Sequence, residues 1–105
     1  MPRQQLVHHE LTPRSVATML GDQWTVRIVG QLSLGQQRYG TLRSSLGIST
    51  KTLAKRLKHL EQEAIITRTL YAQVPLRVEY ELTEKGYELK AIIDSLAEWE
   101  KKWVA

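Results

Sequence analysis

The sequence predicts a single α+β domain, mostly α with a small β-hairpin, and three observations carry that prediction. Apolar residues recur at helical spacing in residues 24–34, 49–63 and 83–103, whereas period-two alternation is confined to residues 65–82. The 105 residues are enough for one self-sufficient core and leave no room for a second. Glycines at 21, 35 and 47 punctuate the helical segments as stop signals.

Taken in order, residues 1–13 show no period and hold two of the three prolines, so they read as a tail or arm, with the domain proper over 14–105. SVATML, residues 15–20, is a short helix that starts at Ser15 and ends at Gly21. In WTVRIVGQLSL (24–34), Trp24, Ile28, Val29 and Leu32 fall on one helical face. RYGTLRSSL (38–46) begins extended at Arg38 and Tyr39 and becomes a short helix through Leu42 and Leu46, stopped by Gly47. Ser49 then caps a helix over about 49–63. Its Leu53, Leu57, Leu60 and Ala64 recur at i, i+4, i+7 and i+11 and make one narrow apolar stripe.

IITRTLYA (65–72) and RVEYEL (77–82) read as strands, because Val78, Tyr80 and Leu82 alternate with Arg77, Glu79 and Glu81. QVPL joins them as a turn, since Pro75 cannot donate to a ladder. From Thr83 onward a last helix places Leu89, Ile92, Ile93, Leu96, Trp99 and Trp103 on one face. A short helix, a tight turn through Gly47 and Ile48, a capped helix and a following hairpin together make a winged helix-turn-helix.

Charge is segregated along this order. Residues 23–60 hold seven bases and no acid, whereas residues 61–105 hold six bases and nine acids. The helix opening at Ser49 carries Lys51, Lys55, Arg56 and Lys58 where a helix start, with its partial positive charge, prefers acids. Such a helix fits an external anion, and double-stranded DNA supplies one. Ser49, Thr50, Lys51, Thr52 and Lys55 lie at the leading end, placed to reach base edges in a major groove. Arg38, Arg43, Arg56 and Lys58 suit phosphates, and Arg77 is expected at the wing tip, facing a minor groove or its backbone.

Other chemistries find little support. Adjacent His8 and His9 cannot face one way on a helix, so no metal site is expected, and no nucleophile, base and orienting acid stand together, so the chain does not read as an enzyme. No cofactor motif is present. No apolar run reaches the ~20 residues that cross a bilayer and MPRQQLVHHE lacks a signal-peptide core, which makes the cytoplasm the expected location and gives the membrane no part.

The sequence resembles the HxlR family of winged-helix transcription regulators, related in architecture to the MarR group. The resemblance runs from about Ser15 to Trp99 and rests on GDQWT (21–25), RYGTLR (38–43), LGISTKTLAKRLKHLE (46–61) and VPLRVEYELTEKG (74–86). It implies a homodimer built by terminal helices, with the helix at Ser49 reading DNA and the hairpin around Arg77 as the wing, acting more often as repressor than activator. The apolar face of the last helix, Leu89, Ile92, Ile93, Leu96, Trp99 and Trp103, independently predicts a two-fold interface. Departures are the lack of any cysteine, which removes thiol sensing, and Asp22 and Gln23 in place of the more usual glycine and lysine. A third is Ala64 where a glycine commonly ends the reading helix, for which an adjusted helix end is expected. An unidentified small-molecule effector would then enter among the dimer helices near Trp24, Tyr39 or Trp99. The alternatives are a non-specific nucleoid or RNA-binding protein and a winged-helix protein-interaction module.

Overall fold

The computed structural model describes residues 20–103. The arm over 1–13 and, apart from Leu20, the short helix expected over 15–20 lie outside them. Helix α1 spans Gln23–Leu32, and the Asp22 carboxylate caps it by accepting the Trp24 N–H at 2.8 Å. Its Thr25, Ile28, Val29 and Leu32 are buried. A two-residue strand, β1 (Gln37–Arg38), leads into α2 (Tyr39–Leu46), so the extended start expected at Arg38 lies one residue earlier and Tyr39 is already helical. Next come α3 (Thr50–Gln62), the hairpin of β2 (Ile66–Tyr71) and β3 (Arg77–Leu82), and α4 (Glu84–Trp103).

The sheet is antiparallel in the order β1-β3-β2. Gln37 pairs with Tyr80, and the β2–β3 register sets Ile66 against Leu82 and Arg68 against Tyr80. The strand that precedes α2 is thereby stitched to the wing, which fixes how the helix-turn-helix sits against the hairpin. The core gathers one face of each helix: Ile28 and Leu32 of α1, Leu42 of α2, and Leu53, Leu57 and Leu60 of α3 are all essentially inaccessible, together with Ile65 and Ile66. Each such side chain contributes about 1.5–3 kcal/mol relative to an exposed one.

The end of α3 departs from the expectation. Ala64 is exposed and itself adopts the left-handed conformation, at φ 59°, so it is not the last member of the buried stripe and the helix end is not rebuilt to avoid strain. The Ile65 N–H reaches the Leu60 carbonyl at 2.9 Å and the Ala64 N–H the Glu61 carbonyl at 3.0 Å. Those two bonds form a Schellman motif, completed by burial of both Leu60 and Ile65. Closure of the motif and burial of Ile65 offset a left-handed L-residue, which costs about 1–2 kcal/mol. Ala64→Gly should therefore stabilise the fold by about 1 kcal/mol, raising the thermal midpoint by about 4–8 °C. An unchanged or lowered midpoint would show that the residue carries no strain.

The stretch TEKG explains how α4 docks. The Thr83 hydroxyl donates to the Ala64 carbonyl at 2.7 Å and accepts the Gly86 N–H at 3.1 Å, while the Thr83 N–H donates to the Ile65 carbonyl at 3.0 Å. Lys85 Nζ donates to the Glu63 carbonyl at 2.6 Å. Thr83 and the first turn of α4 thus satisfy the carbonyls of residues 63–65, the segment that follows α3.

Candidate nucleic-acid interface

The helix-turn-helix is set by a few local bonds. Gly47 ends α2 in the left-handed region at φ 62°, with its N–H on the Arg43 carbonyl at 3.0 Å, and Ile48 buries its side chain and anchors the turn. Ser49 Oγ accepts the Thr52 N–H at 3.2 Å and donates to Thr52 Oγ1 at 2.9 Å. Tyr39, at the start of α2, donates its phenol to the Thr50 carbonyl at 3.1 Å. The leading end of α3 is therefore held by its own cap and by α2. Ser49 and Thr52 serve that cap first, which leaves Thr50 and Lys51 as the uncommitted residues of the first turn.

Lys51, Lys55 and Lys58 are exposed on α3, and Arg43 is exposed on α2. Among the described residues no ion pair involves any of the four. The first turn of α3 has no acid. Lys51, the one base in that turn, raises the energy of the isolated fold by about 0.3–1 kcal/mol, so its placement becomes favourable when an anion arrives from outside.

Three other predicted cations are placed differently. Arg56 is mostly covered, and its Nε meets the Asp22 carboxylate ahead of α1. Arg38 is largely exposed and lies 3.9 Å from Glu79. Arg77 is not at the wing tip, which is a correction: it opens β3, holds Glu79 at 2.8 Å and lies over the Tyr71 ring at 4.1 Å. Register explains it, since Arg77 pairs across the hairpin with Tyr71, and residues 72–76 form the tip beyond them. That tip carries no charge, and its Val74 and Leu76 side chains are exposed.

Arg68 was missed by the sequence reading. It sits on β2 opposite Tyr80, and together with Arg38 and Arg77 it lines a cleft of about 460 Å³ between the start of α2 and the wing. The available signal was a lone base on a strand otherwise facing solvent. Burial pushes the Tyr80 phenol above its usual pKa, while a hydrogen bond from Arg68 acts in the opposite direction.

On α4, Leu89 is buried in the chain's own core and Ile93 is half-buried against it, so the predicted interface set loses Leu89: the first turns of the helix pack on their own chain. Ile92, Leu96, Trp99 and Trp103 remain, all more than half exposed. Trp24, expected in the core, is half-buried and packs on its edge with the Arg27 guanidinium 4.7 Å from its ring. The expected effector pocket is not gathered: Tyr39 faces the wing cleft, whereas Trp99 lines an apolar hollow of about 350 Å³ with Leu20, Val26, Ile93 and Leu96. Among the described residues no helix is long and apolar enough to cross a membrane, and no three acids or histidines gather as a metal site.

Comparison with known proteins bears on this geometry. Residues 19–105 match the family model described as HxlR-like helix-turn-helix. The HTH-type transcriptional regulator YvaP of Bacillus subtilis is 35% identical over 98 residues, covering 90% of this chain and 91% of that one. The reduced form of the transcriptional regulator YodB from Bacillus subtilis superimposes with a TM-score of 0.79 at 34% identity, covering 90% of this chain and 95% of that one. A MarR-family transcriptional regulator from Porphyromonas gingivalis W83 gives a TM-score of 0.70 at 31% identity, covering 91% of this chain and 100% of that one.

Proposed function

The chain belongs to the HxlR-like helix-turn-helix family of transcriptional regulators, and from that premise we propose that it is a homodimeric, cytoplasmic repressor that binds a pseudo-palindromic operator in double-stranded DNA. The observation that carries this reading is the set of exposed cations, without an ion-pair partner among the described residues, on and beside α3: Lys51, Lys55, Lys58 and Arg43. A duplex supplies the charge they lack, and counterion release favours the union.

In this reading α3 lies in the major groove. Thr50, Lys51 and Lys55 face base edges, where Lys donates to guanine and the Thr methyl meets thymine, while Lys58 and Arg43 grip the backbone. Arg38 and Arg68 extend the positive surface to the wing, and the uncharged tip at Val74 and Leu76 lies along the minor groove by shape rather than charge. Ile92, Leu96, Trp99 and Trp103 of two protomers pack together and set the two α3 helices about one turn, roughly 34 Å, apart. With no cysteine in the chain, thiol oxidation is not the input, and a small-molecule effector is the input we favour. Selection of bound sequences from random duplex DNA tests the proposal. Recovery of an inverted repeat with half-sites one helical turn apart is expected; a pool without any shared motif would replace the reading by sequence-indifferent binding.

A further inference from the structure

The acid-free run of residues 23–60 begins directly after Asp22, and the fold brings that acid back onto it. The two oxygens of the Asp22 carboxylate serve different helices. Oδ1 accepts the Trp24 N–H at 2.8 Å and closes the start of α1, while Oδ2 meets Arg56 Nε on α3. The two side chains are only 27% and 26% exposed, so solvent screens this pair less than a pair at the open surface. Arg27, a base of α1, is directed elsewhere, to the Leu46 carbonyl at 3.3 Å and the Trp24 ring. Of the four bases on α3, Arg56 alone has a resident anion among the described residues, while Lys51, Lys55 and Lys58 stand exposed beside it.

We propose that Asp22 withholds Arg56 from the polyanion, so that α3 meets DNA with three lysine charges and the chain's sequence-independent affinity is lower by one phosphate contact. This rests on the DNA reading above and deepens it. A guanidinium is the best phosphate ligand a helix flank can offer, because its planar fork matches two phosphate oxygens at once. Phosphate contacts, however, are blind to sequence and add equally to every duplex in the cell. Bound to Asp22, Arg56 no longer contributes to that background and instead ties α3 to the start of α1.

The test uses the full chain as wild type, Asp22→Asn, Arg56→Gln and the double variant. Asparagine caps a helix as well as aspartate does, so Asp22→Asn removes the charge and keeps the α1 cap. Affinity for a random-sequence duplex is measured by fluorescence anisotropy across a salt series, and retention on heparin is measured in parallel. Asp22→Asn should steepen the dependence of log affinity on log salt by about 0.9 per bound protomer, which amounts to about eightfold tighter binding at 0.1 M salt for each, and should elute later from heparin. Arg56→Gln should leave the slope at the wild-type value, and the double variant should return to it.

An unchanged slope in Asp22→Asn would overturn the proposal. So would an Arg56→Gln slope flatter by about 0.9 per bound protomer, which would place Arg56 on DNA already. A gain retained by the double variant would assign the effect to the charge of Asp22 itself and would equally overturn it. If the wild type bound heparin but not duplex DNA, the DNA reading would fail, and the order of elution would still decide whether Asp22 withholds Arg56.

Discussion

Gly86→Ala should destabilise the domain more than the same exchange at any other described glycine. Alanine is the better helix former by about 1 kcal/mol, so on an open helix the exchange stabilises. At Gly86 the sign reverses, because a Cβ there would fall onto the Ile65 carbonyl oxygen and stand only 3.0 Å from Leu82 Cδ2. The obstruction is backbone, which cannot swing aside. Relief requires α4 to lift from residues 63–65, which breaks the bonds from Thr83 and Lys85 to that segment and loosens Leu89 from the core. Overpacking of this kind costs about 1–3 kcal/mol and more where backbone must move; adding the lost bonds, a loss of about 3 kcal/mol or more is expected. The thermal midpoint should fall by about 12 °C or more. Gly30→Ala in α1 is the matched control, because nothing lies within 4 Å of its Cβ, and it should raise the midpoint. If both substitutions shifted stability in the same direction, the close approach of α4 to Ile65 would be wrong.

The second large effect concerns assembly. Leu96→Ser with Trp99→Ser should convert the proposed dimer into a folded monomer, since the two side chains are 52% and 63% exposed within the chain and contribute little to its own core. Together with Ile92 and Trp103 they form a continuous apolar strip along the second half of α4, of the kind that marks an interface. A monomer contacts one half-site at a time. Losing the linkage between half-sites should weaken operator binding by about a hundredfold or more, while affinity for a single half-site stays near the wild-type value. Sedimentation at micromolar concentration gives the first outcome and half-site titration the second. A double variant that still sediments as a dimer would move the interface elsewhere.

Much of this arrangement was legible because it is written locally. The Ser49 cap, the Leu53, Leu57 and Leu60 stripe and the Gly47 stop each depend on neighbours within one or two turns and are realised, and the alternation of β3 is realised at Tyr80 and Leu82, while Val78 and Glu79 are both partly covered. What was not legible depends on partners distant in sequence. Arg56 reads as a free cation until the fold supplies Asp22, and Arg77 reads as a tip residue until the register pairs it with Tyr71. Leu89 looked like the other apolar residues of α4, and only the docking of the first turns on the chain's own core separates it from Leu96 and Trp99. Ala64 is the instructive case in the other direction. The cost of a left-handed residue there led to the expectation of an adjusted helix end, whereas Ala64 adopts that conformation, and the burial of Ile65 that offsets the cost is a tertiary fact.

The account turns on the exposed lysines at the start of α3 being the surface that meets a duplex. Its most direct test is the affinity of Lys51→Ala/Lys55→Ala for the selected operator across a salt series, with the thermal midpoint measured alongside. The account predicts an unchanged or raised midpoint, operator binding lowered to the level of random DNA, and a salt dependence flatter by about 1.8 per protomer if both lysines lie on phosphates and less where they lie on bases. Wild-type operator affinity and salt dependence in that variant would contradict it, because α3 would then not be the reader.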